Sequence, residues 1–386
     1  MAKSFWFKVY EPFIRKAAGL GVASLEKDKK RYEHKFEYCD LLVTGSGPSG
    51  LASAYAAAKN GAKVILAEDK PRYGGTLLTD DVSIDNMSGK DWSEKIISEL
   101  KTMPNVTLKN RSQVFGYYDH NMMVMFERVG DHLSNKSKYT PRQRLWYIRA
   151  KETILSTGSI ERPIVFGNND TPGVVLSSAA KEYMKVYGVL VGRKPIIFTN
   201  NDSAYETAFE FKKNNVEPII LDTREEHGSE VVHEAKNKGI QIKFSYGVIV
   251  ANGYKKVKSA KIGKLTKDKK SFESTETINC DCICVSGFWT PTVHLASQSG
   301  NKLKFDEKID AFIPDKSKQN EKTIGAANGS FTLQETIESG FKTGSELSSK
   351  ITDKNNENKI PNVTETKYNV LSLIHISEPT RPRLIS

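Results

Sequence analysis

Four cysteines in 386 residues are too few to staple a fold of this size, so a disulfide framework is excluded and the chain must hold together by burial. Long apolar runs are also missing. No stretch approaches the roughly 18 uninterrupted apolar residues of a spanning helix, so no helical membrane protein is expected. The opening residues, MAKSFWFKVYEPFIRK, carry scattered basic residues and an early Pro12 but no apolar run or small-residue cleavage site, and do not read as a secretory signal. A cytoplasmic location is the resulting expectation. Histidine is sparse as well. His34, His120, His227, His233 and His294 stand without triad or metal spacing and read as surface or packing residues.

What is present is ordinary for a soluble chain. Hydrophobic residues make up 38%, enough for two or three domain cores. The net charge of +11 comes from 57 basic residues spread among 46 acids, with few aromatics interleaved. That is a lysine-rich solvated surface, and no nucleic-acid partner is expected. Cys280, Cys282 and Cys284 alternate in CDCIC, a spacing that puts all three on one face of a strand as buried thiols. Metal ligands come instead as separated pairs, so no metal site is expected.

Residues 1–36 read as an amphipathic arm, with Trp6, Tyr10, Phe13, Ile14 and Ala17 at helical spacing. From Asp40 the pattern becomes an apolar strand (Leu41 to Val43), the turn GSGPSG, an alanine-rich helix (Leu51 to Lys59) and a second apolar strand (Val64 to Ala67). This is the opening βαβ unit of a doubly wound sheet. Strand segments around Gln113 to Tyr117, Met123 to Glu127 and Arg144 to Lys151 predict an inserted antiparallel meander. A further strand follows over Thr153 to Leu155, and then the small-residue turn Ser156, Thr157, Gly158. A second βαβ series spans Pro195 to Phe244. Strand Cys280 to Ser286 follows, and Thr323 to Gly344 returns to the first unit as strand, glycine turn and helix. The expected fold is α/β: two dinucleotide-binding domains of the glutathione-reductase type, with doubly wound parallel sheets and the inserted meander. Expected boundaries are 1–36 for the arm, 37–157 plus 286–347 for the nucleotide domain, 158–285 for the second domain, and 348–386 for a linker and tail. The run from Leu371 resembles a translated sequencing adapter and is expected to be non-native.

Gly45, Gly47 and Gly50 form G-x-G-x-x-G between strand and helix, and Glu68 closes the next strand eighteen residues past the third glycine. Gly45 allows the tight turn, Gly47 lets backbone N–H groups approach a pyrophosphate, and Gly50 lets helix and strand pack closely. Glu68 would take the adenosine ribose, and with Asp69 it would repel a 2′-phosphate, so NAD or FAD is favoured over NADP despite Lys70 and Arg72. The second βαβ turn reads Thr199, Asn200, Asn201, Asp202, Ser203, with Tyr205 at the third glycine position. Side chains there obstruct a diphosphate, so one nucleotide is expected. Asp202 and Ser203 are expected to cap the helix. No C-x-x-x-x-C lies near Gly74, Gly75 and Thr76, which excludes a redox disulfide beside a flavin at that position.

Several long blocks carry a family resemblance: KSFWFKVYEP, CDLLVTGSGPSGLASAYAAAKNGAKVILAEDK, STGSIERPIVFGNNDTPGV, FTNNDSAY, CDCICVSGFWTPTVHLASQSG and GAANGSFTL. Over about residues 3 to 347 the chain resembles the alpha subunit of heterotetrameric sarcosine oxidase. The resemblance implies NAD on this chain, FAD on a flavin-bearing beta subunit with small subunits beside it, and FMN between alpha and beta. The whole complex would demethylate sarcosine to glycine, yielding hydrogen peroxide and passing the one-carbon unit to tetrahydrofolate. A ubiquitin-like domain before KSFW and a folate-binding half after GAANG belong to that pattern, so the chain is expected to be a piece of a longer subunit.

The implied pyrophosphate residues are Gly45, Gly47, Pro48, Ser49 and Gly50, and the implied ribose residues are Glu68, Asp69 and Lys70. Gly75 and Thr76 stand behind them, Val114 meets adenine, Thr157 and Gly158 flank the nucleotide, and Ala327, Asn328, Thr332 and Leu333 close the site. Ala326 stands where flavin-binding relatives carry an Asp, which points to NAD rather than FAD. No catalytic residue is expected on the chain. Three other readings remain: a self-sufficient FAD-dependent pyridine nucleotide oxidoreductase, an alpha subunit of a related opine or amino-acid oxidase, and a docking module without nucleotide.

Overall fold

A computed structural model of the chain describes residues 3–21, 25–354, 356 and 358–365. The tail from Leu371, expected to be non-native, lies outside the described residues. The arm is helical over Lys3–Ala17, with a π-turn at Trp6–Tyr10, and buries none of Trp6 to Ala17. Its rings pack on one another, Phe5 edge-on and Trp6 stacked against Tyr10.

The first unit begins with β1 (Tyr32–Thr44), which starts inside the stretch assigned to the arm. It continues through α1 (Pro48–Lys59), β2 (Val64–Ala67), α2 (Gly89–Thr102), β3 (Val106–Lys109), β4 (Ser112–Tyr118), β5 (Met122–Arg128) and β6 (Gln143–Leu155). The sheet order is β3-β2-β1-β6-β5-β4. β1 is parallel to both β2 and β6, and β4, β5 and β6 form the antiparallel meander. The separate strand expected at Thr153–Leu155 is the end of the thirteen-residue β6. There it also pairs in parallel with the returning strand Glu321–Thr323.

The central end of β1 is buried on both faces because each face meets its own core. Leu41 and Val43 pack with α1 and with the returning helix Leu333–Thr352, while Cys39 and Leu42 pack with the meander. The returning helix runs past Ser348, where a linker was expected.

The second unit is a parallel five-stranded sheet ordered β7 (Val174–Leu176), β14 (Cys282–Ser286), β8 (Pro195–Thr199), β9 (Ile219–Asp222), β10 (Gln241–Phe244). Helices α3 (Ser177–Tyr187), α4 (Tyr205–Lys213) and α5 (Glu230–Asn237) cover one face. The antiparallel strands β11 (Tyr246–Asn252), β12 (Ser259–Leu265) and β13 (Phe272–Asn279) cover the other. Cys282 and Cys284 share the helix-facing core, their sulfurs 3.9 Å apart. Cys280 does not join them. It precedes the strand and packs with the antiparallel layer, so the expected single face holds two thiols rather than three. Two crossing segments, Ser159–Glu161 and Trp289–Pro291, pair antiparallel between the units. Among the described residues, no helix is long and apolar enough to cross a membrane, and no cluster of metal-ligating side chains forms.

Candidate functional site

The glycine turn between β1 and α1 owes its shape to two contacts that a side chain would forbid. Gly45 has φ +98°, and a Cβ there would lie 2.3 Å from the Ser156 carbonyl oxygen. At Gly50 a Cβ would lie 1.9 Å from the Gly45 oxygen, so this glycine sets how closely α1 abuts the turn. Ser156 fastens the arrangement from β6 by donating its hydroxyl to the Thr44 and Gly45 carbonyls, each at 2.9 Å. On the far side of α1, Gly340 and Gly344 of the returning helix approach the Ser49 and Ser53 carbonyls. A Cβ would come within 2.5 and 2.3 Å of them.

Gly47 is different. A Cβ there would meet nothing within 4 Å, because the residue faces a cavity of about 1440 Å³. Gly47 is also the N-cap of α1, with no side chain to cap it, and Pro48 opens the helix. The positive end of α1 is thus turned toward open space, the condition a diphosphate requires. The residues therefore fit an adenine dinucleotide.

Glu68 stands at the end of β2 beneath the turn, 7% exposed. Its carboxylate accepts from the Ser46 N–H (3.0 Å) and hydroxyl (2.6 Å) and from the Lys70 N–H (2.9 Å). Burial pushes its carboxyl pKa upward, neighbouring Asp69 adds to this, and the Ser46 and Lys70 hydrogen bonds oppose it. Asp69 and Lys70 line the cavity too, and the Lys70 ammonium is paired with Glu182 at 2.8 Å. Pro48, Ser49, Gly75, Thr76, Val114, Thr157, Gly158, Thr332 and Leu333 also line it, and Thr157 donates to the Thr292 carbonyl at 2.9 Å. Gly50 is absent from the lining itself, and its missing side chain lets α1 close on the Gly45 oxygen. Two expected residues are displaced from the wall. Ala327 is fully buried in the turn at Gly325–Asn328 and Asn328 faces solvent, so Ala326 is the lining residue.

The second turn also borders this cavity, through Asn201, Asp202 and Ser203, but its own side chains fill it. Asn201, rather than Asp202 or Ser203, caps it: its side chain accepts from the Ser203 N–H at 3.1 Å and donates to the Ser286 carbonyl at 3.2 Å. Asp222, at the position of a ribose acid, is fully buried, accepting from the Tyr205 hydroxyl (2.8 Å) and the Arg224 guanidinium (2.7 Å). Arg224 also pairs with Asp202 at 2.8 Å.

Sequence reasoning missed the far wall. Lys181 of α3 lies there, between Asp80 of the first unit (2.7 Å) and Glu206 of α4. Burial opposes its charge, but the two carboxylates hold its ammonium well above the usual lysine range. Glu161 accepts the Ser178 N–H at 2.7 Å, burial raises its pKa, and His294 and Trp289 line the same region. These residues come together only through the tertiary fold, so their spacing carried no signal.

Residues 40–123 match the family of FAD-dependent oxidoreductases. The sarcosine oxidase alpha subunit of Rhizobium meliloti (strain 1021) is 38% identical over 323 residues, covering 83% of this chain and 32% of that protein. That of Corynebacterium sp. (strain P-1) is 34% identical over 333 residues, covering 84% and 34%. The chain is a homologue of sarcosine oxidase alpha subunits. It spans about a third of the length of these relatives. Thioredoxin reductase of T. acidophilum has the same fold, with TM-score 0.62 over 81% of this chain and 99% of that one, at 16% identity. The glutathione-reductase-like architecture expected from the two βαβ series is thus present.

Proposed function

We propose that this chain is the NAD-binding portion of a sarcosine oxidase alpha subunit, and that sarcosine is oxidised at a flavin carried by a partner subunit. The observation that carries this reading is the contrast between the two turns. Gly47 opens on a cavity at the bare start of α1, whereas the second turn is filled by Asn201 and the Asp202–Arg224–Asp222 network. One dinucleotide is therefore accommodated, with its pyrophosphate on the Ser49 and Gly50 N–H groups and its adenosine ribose at Glu68.

NAD is favoured over FAD because Ala326, not an acid, faces the cavity where a ribityl chain would need a hydrogen-bond acceptor. The match to FAD-dependent oxidoreductases spans β1 through the start of β5, the part that any adenine dinucleotide uses. When bound, NAD supplies a pyridine ring capable of accepting hydride. The chain supplies the anion-binding turn, the ribose acceptor and a cavity walled by both units. In the assembled complex FAD and FMN would perform the amine oxidation and transfer electrons to oxygen, with tetrahydrofolate taking the one-carbon unit on a segment beyond this chain. Oxygen uptake with sarcosine tests the proposal. The purified chain alone should consume none, and co-expression with a flavin-bearing subunit should restore uptake. Uptake by the chain alone would overturn it.

A further inference from the structure

Of the helix N-termini that reach the cavity, two use their peptide N–H groups in opposite ways. The start of α1 is bare, with Gly47 as cap and Pro48 following. At the returning helix every early N–H is taken within the chain. Glu335 N–H donates to the Thr332 hydroxyl (3.4 Å) and Thr336 N–H to the Thr332 carbonyl (3.1 Å). The first two N–H groups, of Leu333 and Gln334, donate to the carboxylate of Glu365 at 2.8 and 3.3 Å. Glu365 arrives from the far end of the described chain. Val363–Thr364 pair antiparallel with Ser83–Ile84, and Asn362 and Asp85 exchange hydrogen bonds of 2.9 Å in both directions. Thr364 and Glu365 then form part of the cavity wall beside Thr332 and Leu333.

The charge this creates is unusual for a site expected to hold a diphosphate. A bare helix start carries about half a positive charge, which a full carboxylate more than cancels. Nine carboxylate side chains line the cavity against two lysines, and both lysines are ion-paired, Lys70 to Glu182 and Lys181 to Asp80 and Glu206. The α1 start is thus the place for the anionic part of a ligand. Past the Gly325 turn, which abuts Ser49, the cavity wall continues to Thr332 and Glu365, within the same space as Glu68 and the α1 start, so a dinucleotide with its ribose and pyrophosphate there can lay its second ring beside Glu365.

We propose that Glu365 selects the charge of that second ring, so that the cavity takes the oxidised, cationic nicotinamide dinucleotide in preference to the neutral reduced one. The inference rests on the NAD reading, and one set of titrations separates the two. NAD⁺, NADH and ADP-ribose, which lacks the nicotinamide, are titrated calorimetrically into the parent chain and into Glu365→Gln. The parent should bind NAD⁺ more tightly than NADH. The variant should lose NAD⁺ affinity roughly tenfold, the effect of one unit charge over about 8 Å at an effective dielectric of about 30, and keep NADH and ADP-ribose within about twofold. An unchanged NAD⁺ to NADH ratio in the variant overturns the selection role and leaves the NAD site standing. An equal loss for all three ligands also overturns it, because Glu365 would then only brace the wall. A parent that binds neither NAD⁺ nor ADP-ribose overturns the NAD reading itself.

Discussion

Substituting Gly47 by Val separates binding from folding more cleanly than any other change in the turn. The residue has φ −64° and ψ −176°, a conformation open to any side chain, and a Cβ there touches nothing within 4 Å. Lost cap preference and reduced unfolded-state freedom nearly offset, so stability should move by no more than about 1 kcal/mol, roughly 2 °C in Tm. The isopropyl group would stand between the pyrophosphate and the Ser49 and Gly50 N–H groups. Two hydrogen bonds to a charged group are worth about 1.5–3 kcal/mol each, so NAD affinity should fall by about two to four orders of magnitude. Gly50→Ala is the counterpart. Its Cβ would sit 1.9 Å from the Gly45 oxygen, backbone against methyl, so α1 must shift and about 3 kcal/mol of stability should go with it. Calorimetry and thermal melts on both variants decide the matter. A Gly47→Val chain that binds NAD like the parent would refute the placement of the pyrophosphate.

Three further outcomes follow from buried charge. Glu68→Gln keeps an acceptor for Ser46 but removes the carboxylate. Discrimination against NADP, on the order of 3 kcal/mol of like-charge repulsion, should largely disappear in competitive titrations, and retention of full discrimination would deny Glu68 the ribose role. Burial raises the Glu321 carboxyl from 4.5 to about 7, against opposing hydrogen bonds from Ser299, Asn301 and Tyr117. The native state therefore holds a proton that the unfolded chain releases first. Stability from this group is complete below about pH 4.5 and lost by about pH 7, on the order of 3 kcal/mol in all, and Glu321→Gln should flatten that slope in urea titrations at several pH values. Lys181→Met strands Asp80 and Glu206 in a partly buried wall and should cost about 3–5 kcal/mol. Adding Asp80→Asn and Glu206→Gln should recover part of it, and a single variant as stable as the parent would contradict the role of the triad.

What was legible in the sequence was what local pattern dictates. The apolar run at Leu41 to Val43, the glycine spacing and the alanine-rich helix are consecutive, so they announced the turn and its cavity-facing Gly47. The inserted meander showed through short β-prone runs such as Met123 to Phe126. The second antiparallel layer, β11 to β13, did not, because the lysine-rich stretch from Lys255 to Lys270 masks a buried face made by only a few residues such as Ala260 and Ile262. Cys280 was misplaced for a related reason: alternation predicts a shared face only while the chain stays extended, and the strand begins at Cys282. The wall formed by Lys181, Glu206, Asp80 and Glu365 joins segments as much as about 280 residues apart. Charges that meet only after folding leave no period to read.

The nucleotide that the chain itself retains tests the central claim most directly. Freshly purified protein, denatured and analysed by mass spectrometry and absorbance, should release NAD and show no flavin colour. Release of FAD, or of no nucleotide together with no measurable NAD affinity in the intact chain, would contradict it.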